Sequence, residues 1–287
     1  MTTKKAQMLT DFFTSTAVQK ATPVAESIAL ALAEGSSHIY IEGSSDEDHA
    51  NNWNADKLKK VKSQLVEHGL SAIVHGNYRN PICHQIKDIR EAAKLYICKE
   101  IDLARELDAP LIVHASCLFT HSNLAQLRRT AMSDFTNIVN ELNDYAQSQG
   151  VTLWLENLEH YQNRRPFYTL FSMFEQYRRV FSEVDPAVKF ILDLGHENIS
   201  SDHPHETLAY FIDRIVAVSV SNNDGSVDSH SPLDQGTLDY QKVIEVLKTH
   251  GWKGHLSVET KKGGLQEALL HLHAATAQIR KADCLVS

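Results

Sequence analysis

The sequence is short of several things at once. No stretch of about 18 apolar residues occurs, so no membrane-spanning helix is expected. The segment MTTKKAQMLTDFFTS lacks the apolar core of a signal peptide. Cysteine is scarce: Cys83, Cys98, Cys117 and Cys284 are scattered and form no CxxC pair. That excludes a disulfide framework and leads to the expectation of a reduced, cytoplasmic protein. Basic charge is also in deficit, with a formal net charge of −8. A nucleic-acid partner is disfavoured, because such affinity comes mainly from Lys and Arg on phosphates. Neither GxGxxG nor GxxxxGK[ST] is present, so the glycine turns that cradle nucleotide phosphates are missing.

What is present is alternation. Short apolar, β-branched runs lead into polar turns: MLTDFF near residue 8, HIYIEG from 38, SAIVHG from 71, PLIVHAS from 110, VTLWLEN from 151, VKFILDLG from 188, IVAVSVS from 215 and HLSVET from 255. Between them lie stretches with apolar residues at helical spacing, such as VAESIALALAEG, LKKVKSQLVEHG and YQKVIEVLKTHG. Gly35, Gly69, Gly150 and Gly251 end such stretches, as expected of left-handed C-caps. Eight strand–helix units in 287 residues, with no linker composition, predict a single (β/α)8 TIM barrel over residues 1–287. A doubly wound open sheet is the alternative.

In such a barrel the chemistry sits where strands end. The ionisable residues at those ends are Glu42, His75, His114, Glu156, Asp193 with His196, and Glu259. A lone Glu there is as often structural as functional. Several carboxylates converging on one mouth raise one another's pKa unless a cation sits among them. Carboxylate and imidazole donors suit Mn, Zn, Fe or Co, and carboxylates also suit Mg. One to three ions are expected. The loop NNDGSVDSHSPLDQG, residues 222–236, carries Asp228 and His230 beyond the seventh strand. A turn at NDGS would fold them back towards His196. An Asx-type turn in a solvated loop is the plainer expectation.

As an ordered set, LEN at 155–157, LDLGH at 192–196, NDGSVDSHSPLDQGTLDY at 223–240 and SVET at 257–260 resemble the xylose isomerase-like barrel superfamily. It includes sugar and sugar-phosphate isomerases and epimerases and type IV AP endonucleases. The resemblance implies that Glu156, Asp193 and Glu259 hold a central divalent metal. It implies a second ion at His75 and His114 beside Glu156, and a third cluster of His196, Asp228 and His230. Gly236 and Asp239 would belong to the loop before the next helix. One departure stands out: Ser219 occupies the position where these families carry a metal-binding His, and Asn222 that of an Asp.

The expected function is a metal-dependent isomerase or epimerase of carbohydrate metabolism, acting on a small sugar, sugar phosphate or polyol. Glu156 and Glu259 are the expected proton-transferring groups. The alternatives are a multi-metal AP endonuclease-like phosphodiesterase, another metal-dependent biosynthetic enzyme, with iron among the candidate metals, and a degenerate barrel. His160, Arg164 and Trp53 are candidates to touch the small-molecule substrate. A homodimer is the default expectation for a soluble enzyme.

Overall fold

The computed structural model describes residues 13–19, 22–116, 124–161, 169–201 and 203–286. Eight strands form a closed parallel barrel in sequence order. They are β1 (Phe13–Val18), β2 (His38–Glu42), β3 (Ser71–His75), β4 (Leu111–His114), β5 (Leu153–Glu156), β6 (Lys189–Asp193), β7 (Ile215–Val220) and β8 (Gly254–Val258). The helices among the described residues are α1 (Val24–Glu34), α2 (Ala55–His68), α3 (Lys87–Glu106), α4 (Leu124–Ser148), α5 (Phe174–Glu183), α6 (Leu194–Ser200), α7 (Pro204–Tyr210), α8 (Tyr240–Thr249) and α9 (Leu265–Val286). Gly35, Gly69, Gly150 and Gly251 all have positive φ, as their helix-ending positions require.

The first expected strand, MLTDFF at residues 8–13, lies outside the described residues except for Phe13, where β1 (FTSTAV) starts among them. β1 docks between β2 and β8, with Ala17 opposite both His38 and Ser257.

Strand alternation builds the site. Side chains two residues apart face the same way. Ala17, Tyr40, Ile73, Ile112, Trp154, Ile191 and Ala217, one from each of β1 to β7, form a buried cluster of their own. Two residues further along, the same inward face presents Gln19, Glu42, His75, His114, Glu156, Asp193 and Ser219. An apolar plug thus sits beneath a polar mouth. The larger core lies outside the barrel wall, between the strands and the surrounding helices.

Candidate metal and active site

Cross-strand register sets the first group of ligand-type side chains. Glu42 stands opposite His75, and His114 opposite Glu156. All four are buried. His75 Nδ1 lies 3.1 Å from Glu42 Oε2, while its Nε2 lies 3.6 Å from Glu156 Oε2. His114 Nε2 approaches the same oxygen at 3.4 Å. Glu42 also accepts from Ser44 N, Ser44 Oγ and Gln19 Nε2. Its lone pairs are therefore taken, and it orients His75 rather than standing free for an ion.

The second group hangs on β6. Asp193 ends that strand and also caps α6, its Oδ1 accepting from His196 N at 2.8 Å. Asn157 clamps the same point: its Oδ1 accepts from Asp193 N and its Nδ2 donates to Asp193 O. Only Asp193 Oδ2 is left unpartnered. His196 Nδ1 donates to the Asn157 carbonyl at 2.9 Å, which fixes the tautomer and leaves Nε2 facing Asp228 Oδ2 at 3.6 Å.

The loop beyond β7 does fold back. Gly225 adopts φ 80°. Asn223 and Asp224 each accept a backbone hydrogen bond from two residues on, so the Asx turns expected of a plain loop are present as well. A bridge between Asn222 and Ser231 closes the excursion. His230 sits at φ 48°, an uncommon conformation for a non-glycine residue. Its Nδ1 donates to the Glu259 carbonyl at 2.7 Å, and its Nε2 lies 2.8 Å from Asp228 Oδ2. Asn222 is not free to act as a ligand. Its side chain donates to Leu233 O and Leu238 O and accepts from Asn223 N and Leu238 N. Gly236 packs against it so closely that a Cβ there would collide with the Asn222 side chain. Asp239 caps α8.

Three groups of ligand atoms converge within 4.8 Å of one another among the described residues: His75–His114–Glu156, His196–Asp228–His230 and Glu156–Asp193–His196. Glu259 is just past the end of β8, tied by its N–H to Val220 O. It stands outside these three groups. Burial, then the charges of Glu156 and Asp193, nevertheless push its carboxyl well up.

The charges interlock. Burial would raise Glu156, but His114 and His75 hold it well below the usual carboxylate range. Burial would lower His75 and His196, yet Glu42 and Glu156 raise the first, and Asp193, Asp228 and Glu159 raise the second. His230 is raised in the same way, chiefly by Asp228 against burial. Burial lowers His114. Protons on imidazoles thus balance the acidic groups.

These residues fit a divalent cation. Glu156 Oε2, Asp193 Oδ2, Asp228 Oδ1 and Glu259 Oε1 are all buried without a hydrogen-bond partner. Leaving charged acceptors unsatisfied is expensive. His75, His196 and His230 each bind an acceptor through Nδ1 and turn Nε2 toward a carboxylate, the arrangement that orients a ligating imidazole.

The model of the xylose isomerase-like TIM barrel family matches residues 29–281. The chain belongs to that family. Among its relatives, the uncharacterized protein MJ1614 of Methanocaldococcus jannaschii is 25% identical over 162 residues. That match spans 56% of this chain and 59% of the relative. A D-tagatose 3-epimerase-like protein superposes with TM-score 0.75 at 19% identity, covering 95% of this chain and all of the other. The IolI protein, in a crystal structure with a bound zinc atom, gives TM-score 0.73 at 16% identity over 92% of this chain and 97% of its own. At such identities the likeness is one of fold.

The remaining candidates are less central. Trp53 packs against the outer core, its Nε1 donating to Asp48 O and Lys57 lying over its ring. His160 is half-buried, its N–H donating to Ser200 Oγ, and burial followed by the charge of Arg128 lowers its pKa. Arg164 lies outside the described residues. Two supporting residues escaped the sequence reading. Asn157 was visible only as part of LEN. Glu100, buried on α3, accepts from Asn77 N directly behind His75. Its helical position carried no strand-end signal.

Proposed function

We propose that this barrel is a divalent-metal-dependent isomerase or epimerase acting on a small sugar, sugar phosphate or polyol. The observation that carries the proposal is the pair Glu156 and Glu259. They stand on β5 and just beyond β8, and each has one buried carboxylate oxygen that no protein hydrogen bond satisfies, Glu156 Oε2 facing the imidazoles of His75 and His114 at 3.6 and 3.4 Å. Their environments push them apart, Glu156 toward the ionised form and Glu259 toward the protonated one. A pair so divided suits proton transfer. One carboxylate takes the proton from the carbon next to a carbonyl, and the other carboxyl returns one from the opposite face. A bound divalent ion would polarise the carbonyl and hydroxyl oxygens of the substrate, a Lewis-acid contribution of about several kcal/mol. Glu156, Asp193 and Glu259 would hold it, with His75, His114, His196, Asp228 and His230 available for further ions. The epimerase-like neighbour and the zinc bound in IolI support this reading. The half-exposed rim at His160 and Tyr161 would touch the substrate, with Arg164 as a further candidate.

The test is solvent deuterium exchange. The metal-loaded protein, offered ketoses and their phosphates in heavy water, is expected to place deuterium at the carbon next to the carbonyl. Glu156→Gln and Glu259→Gln are each expected to abolish that exchange. Full activity in either variant removes that carboxylate from the mechanism.

A second reading, phosphodiester hydrolysis, has one observation in its favour. The two imidazole-bearing clusters offer ligands for more than one ion, and multi-metal sites activate water and stabilise a leaving oxygen. Cleavage of an abasic oligonucleotide would favour it over epimerisation.

A further inference from the structure

One fully buried carboxyl group takes no part in the site as described so far. Glu197 lies on α6, next to His196, with no exposed surface. Its Oε2 accepts from the Tyr177 hydroxyl on α5 at 2.9 Å. Its Oε1 accepts from Thr207 Oγ1 on α7 at 2.7 Å and from Ser201 Oγ, just past α6, at 3.0 Å. Burial pushes this carboxyl up, against those three hydroxyls and then the charge of His196. Burying a carboxyl group among hydroxyls is costly, and an apolar side chain would join the same helices at less cost. Packing alone therefore gives no reason for a glutamate here.

The reason lies in what the contacts enclose. The Tyr177 hydroxyl has a second neighbour, the Asn157 side chain. Asn157 is the residue whose carbonyl accepts from His196 Nδ1 and whose side chain clamps Asp193. The contacts close a circuit. It runs from His196 along the backbone to Glu197, across to Tyr177, on to Asn157 and back to the His196 imidazole. His196 Nε2 points out of this circuit toward Asp228 Oδ2 at 3.6 Å. The helix that carries both residues has seven residues, too few to hold its shape without tertiary ties. An imidazole kept by one hydrogen bond swings with such a helix. A carboxyl group shared with α5 and α7 stops the swing.

We propose that Glu197 and Tyr177 are positioning residues that fix the direction of His196 Nε2, so that a cation at His196, Asp228 and His230 meets an imidazole already in place. The inference rests on reading that cluster as ion-holding. Groups that orient a ligating imidazole are worth about 10–100-fold in metal affinity. Tyr177 offers a clean way to separate orientation from packing. Its ring is fully buried and edge-on to Phe171 at 5.0 Å, so a phenylalanine keeps the packing and removes only the hydroxyl.

The experiment uses the full chain, stripped with a chelator and titrated with Co²⁺. The absorption bands of bound Co²⁺ report ligand geometry, and competition with a chelating dye gives affinity. Asp228→Asn identifies the band that belongs to the cluster. Tyr177→Phe is expected to shift that band and to lower the cluster's affinity about tenfold, with Co²⁺ bound elsewhere in the chain unchanged. Glu197→Ala is expected to do the same more strongly. Val180→Ala makes a cavity on the same helix as Tyr177 without touching the hydrogen bonds. It is expected to lower the unfolding midpoint and leave the band where it was. The inference is overturned if Tyr177→Phe leaves band and affinity unchanged, or if Val180→Ala disturbs them as much. Should Glu197→Ala fail to fold, Tyr177→Phe alone decides. An unaltered chain with no Co²⁺ band sensitive to Asp228→Asn overturns the inference through the ion-holding reading, and is told from lost positioning because the unaltered chain itself is silent.

Discussion

Replacing Glu100 by Gln should make the metal-free protein more stable at high pH and leave it unchanged at low pH. Glu100 lies on α3 with its side chain almost wholly buried. Burial is the main cause that pushes its carboxyl up from 4.5 to about 7. The Asn77 N–H and the charge of His75 oppose the shift, and Glu42 adds to it. The unfolded chain therefore loses this proton near pH 4.5, while the folded chain keeps it until about pH 7. Between those values the native state binds more protons, so stability falls as pH rises. Each pH unit of separation is worth about 1.4 kcal/mol, so the penalty reaches about 3 kcal/mol and is constant above neutrality. Gln keeps an acceptor for Asn77 N–H and carries no charge. Urea unfolding of both proteins from pH 4.5 to 8 should show a stability difference near zero at the acid end. It should grow to about 3 kcal/mol in favour of the variant at pH 8, with most of the change below about pH 7. Comparing the two proteins at each pH cancels the other titrating groups. A difference that does not vary with pH would refute the reasoning, because burial would then not be acting on this carboxyl.

Gly236→Ala should push Asn222 from its four hydrogen bonds and loosen the loop that carries Asp228 and His230. Overpacking of this kind costs about 1–3 kcal/mol, and metal analysis should show the ion of that cluster lost before the others. Asn157→Ala removes the clamp between β5 and β6 and the acceptor side of neither His196 nor its ring, since the carbonyl remains. The two lost bonds strand Asp193 N and O, a destabilisation of about 2–4 kcal/mol measurable by denaturant unfolding. Metal loading should release protons and tighten as pH rises. His75, His196 and His230 have raised pKa values in the metal-free protein, and each must lose a proton before its Nε2 can bind. Calorimetry in buffers of different ionisation heat counts those protons; loading that releases none would contradict the charge balance.

Much of the barrel could be read from alternation because its strands are buried on both faces. FILD and LIVH are apolar runs ending in a ligand-type residue, and each closes a strand where that residue suggests. β1 resisted this reading. FTSTAV contains three small polar residues, and pairing with β8 rather than hydrophobicity makes it a strand. The convergence of the candidate site was legible where a ligand-type residue closes a strand, as at His75, His114, Glu156 and Asp193. It was also legible in the loop, because NDGS signalled a turn. Hydrogen-bond direction was not legible. No spacing rule reveals that Asp193 spends one oxygen on capping α6, that Glu42 is saturated by Ser44 and Gln19, or that Asn222 is a clamp. Glu100 comes from a helix whose pattern reads as any amphipathic surface helix, and only the packing of α3 against β3 brings it behind His75.

The most direct test is anomalous diffraction from a crystal of the full chain loaded with Mn²⁺. The account predicts a peak in the barrel mouth, within coordination distance of Glu156, Asp193 and Glu259 together. A loaded crystal with no peak there, or with ions only at unrelated surface carboxylates, would contradict it.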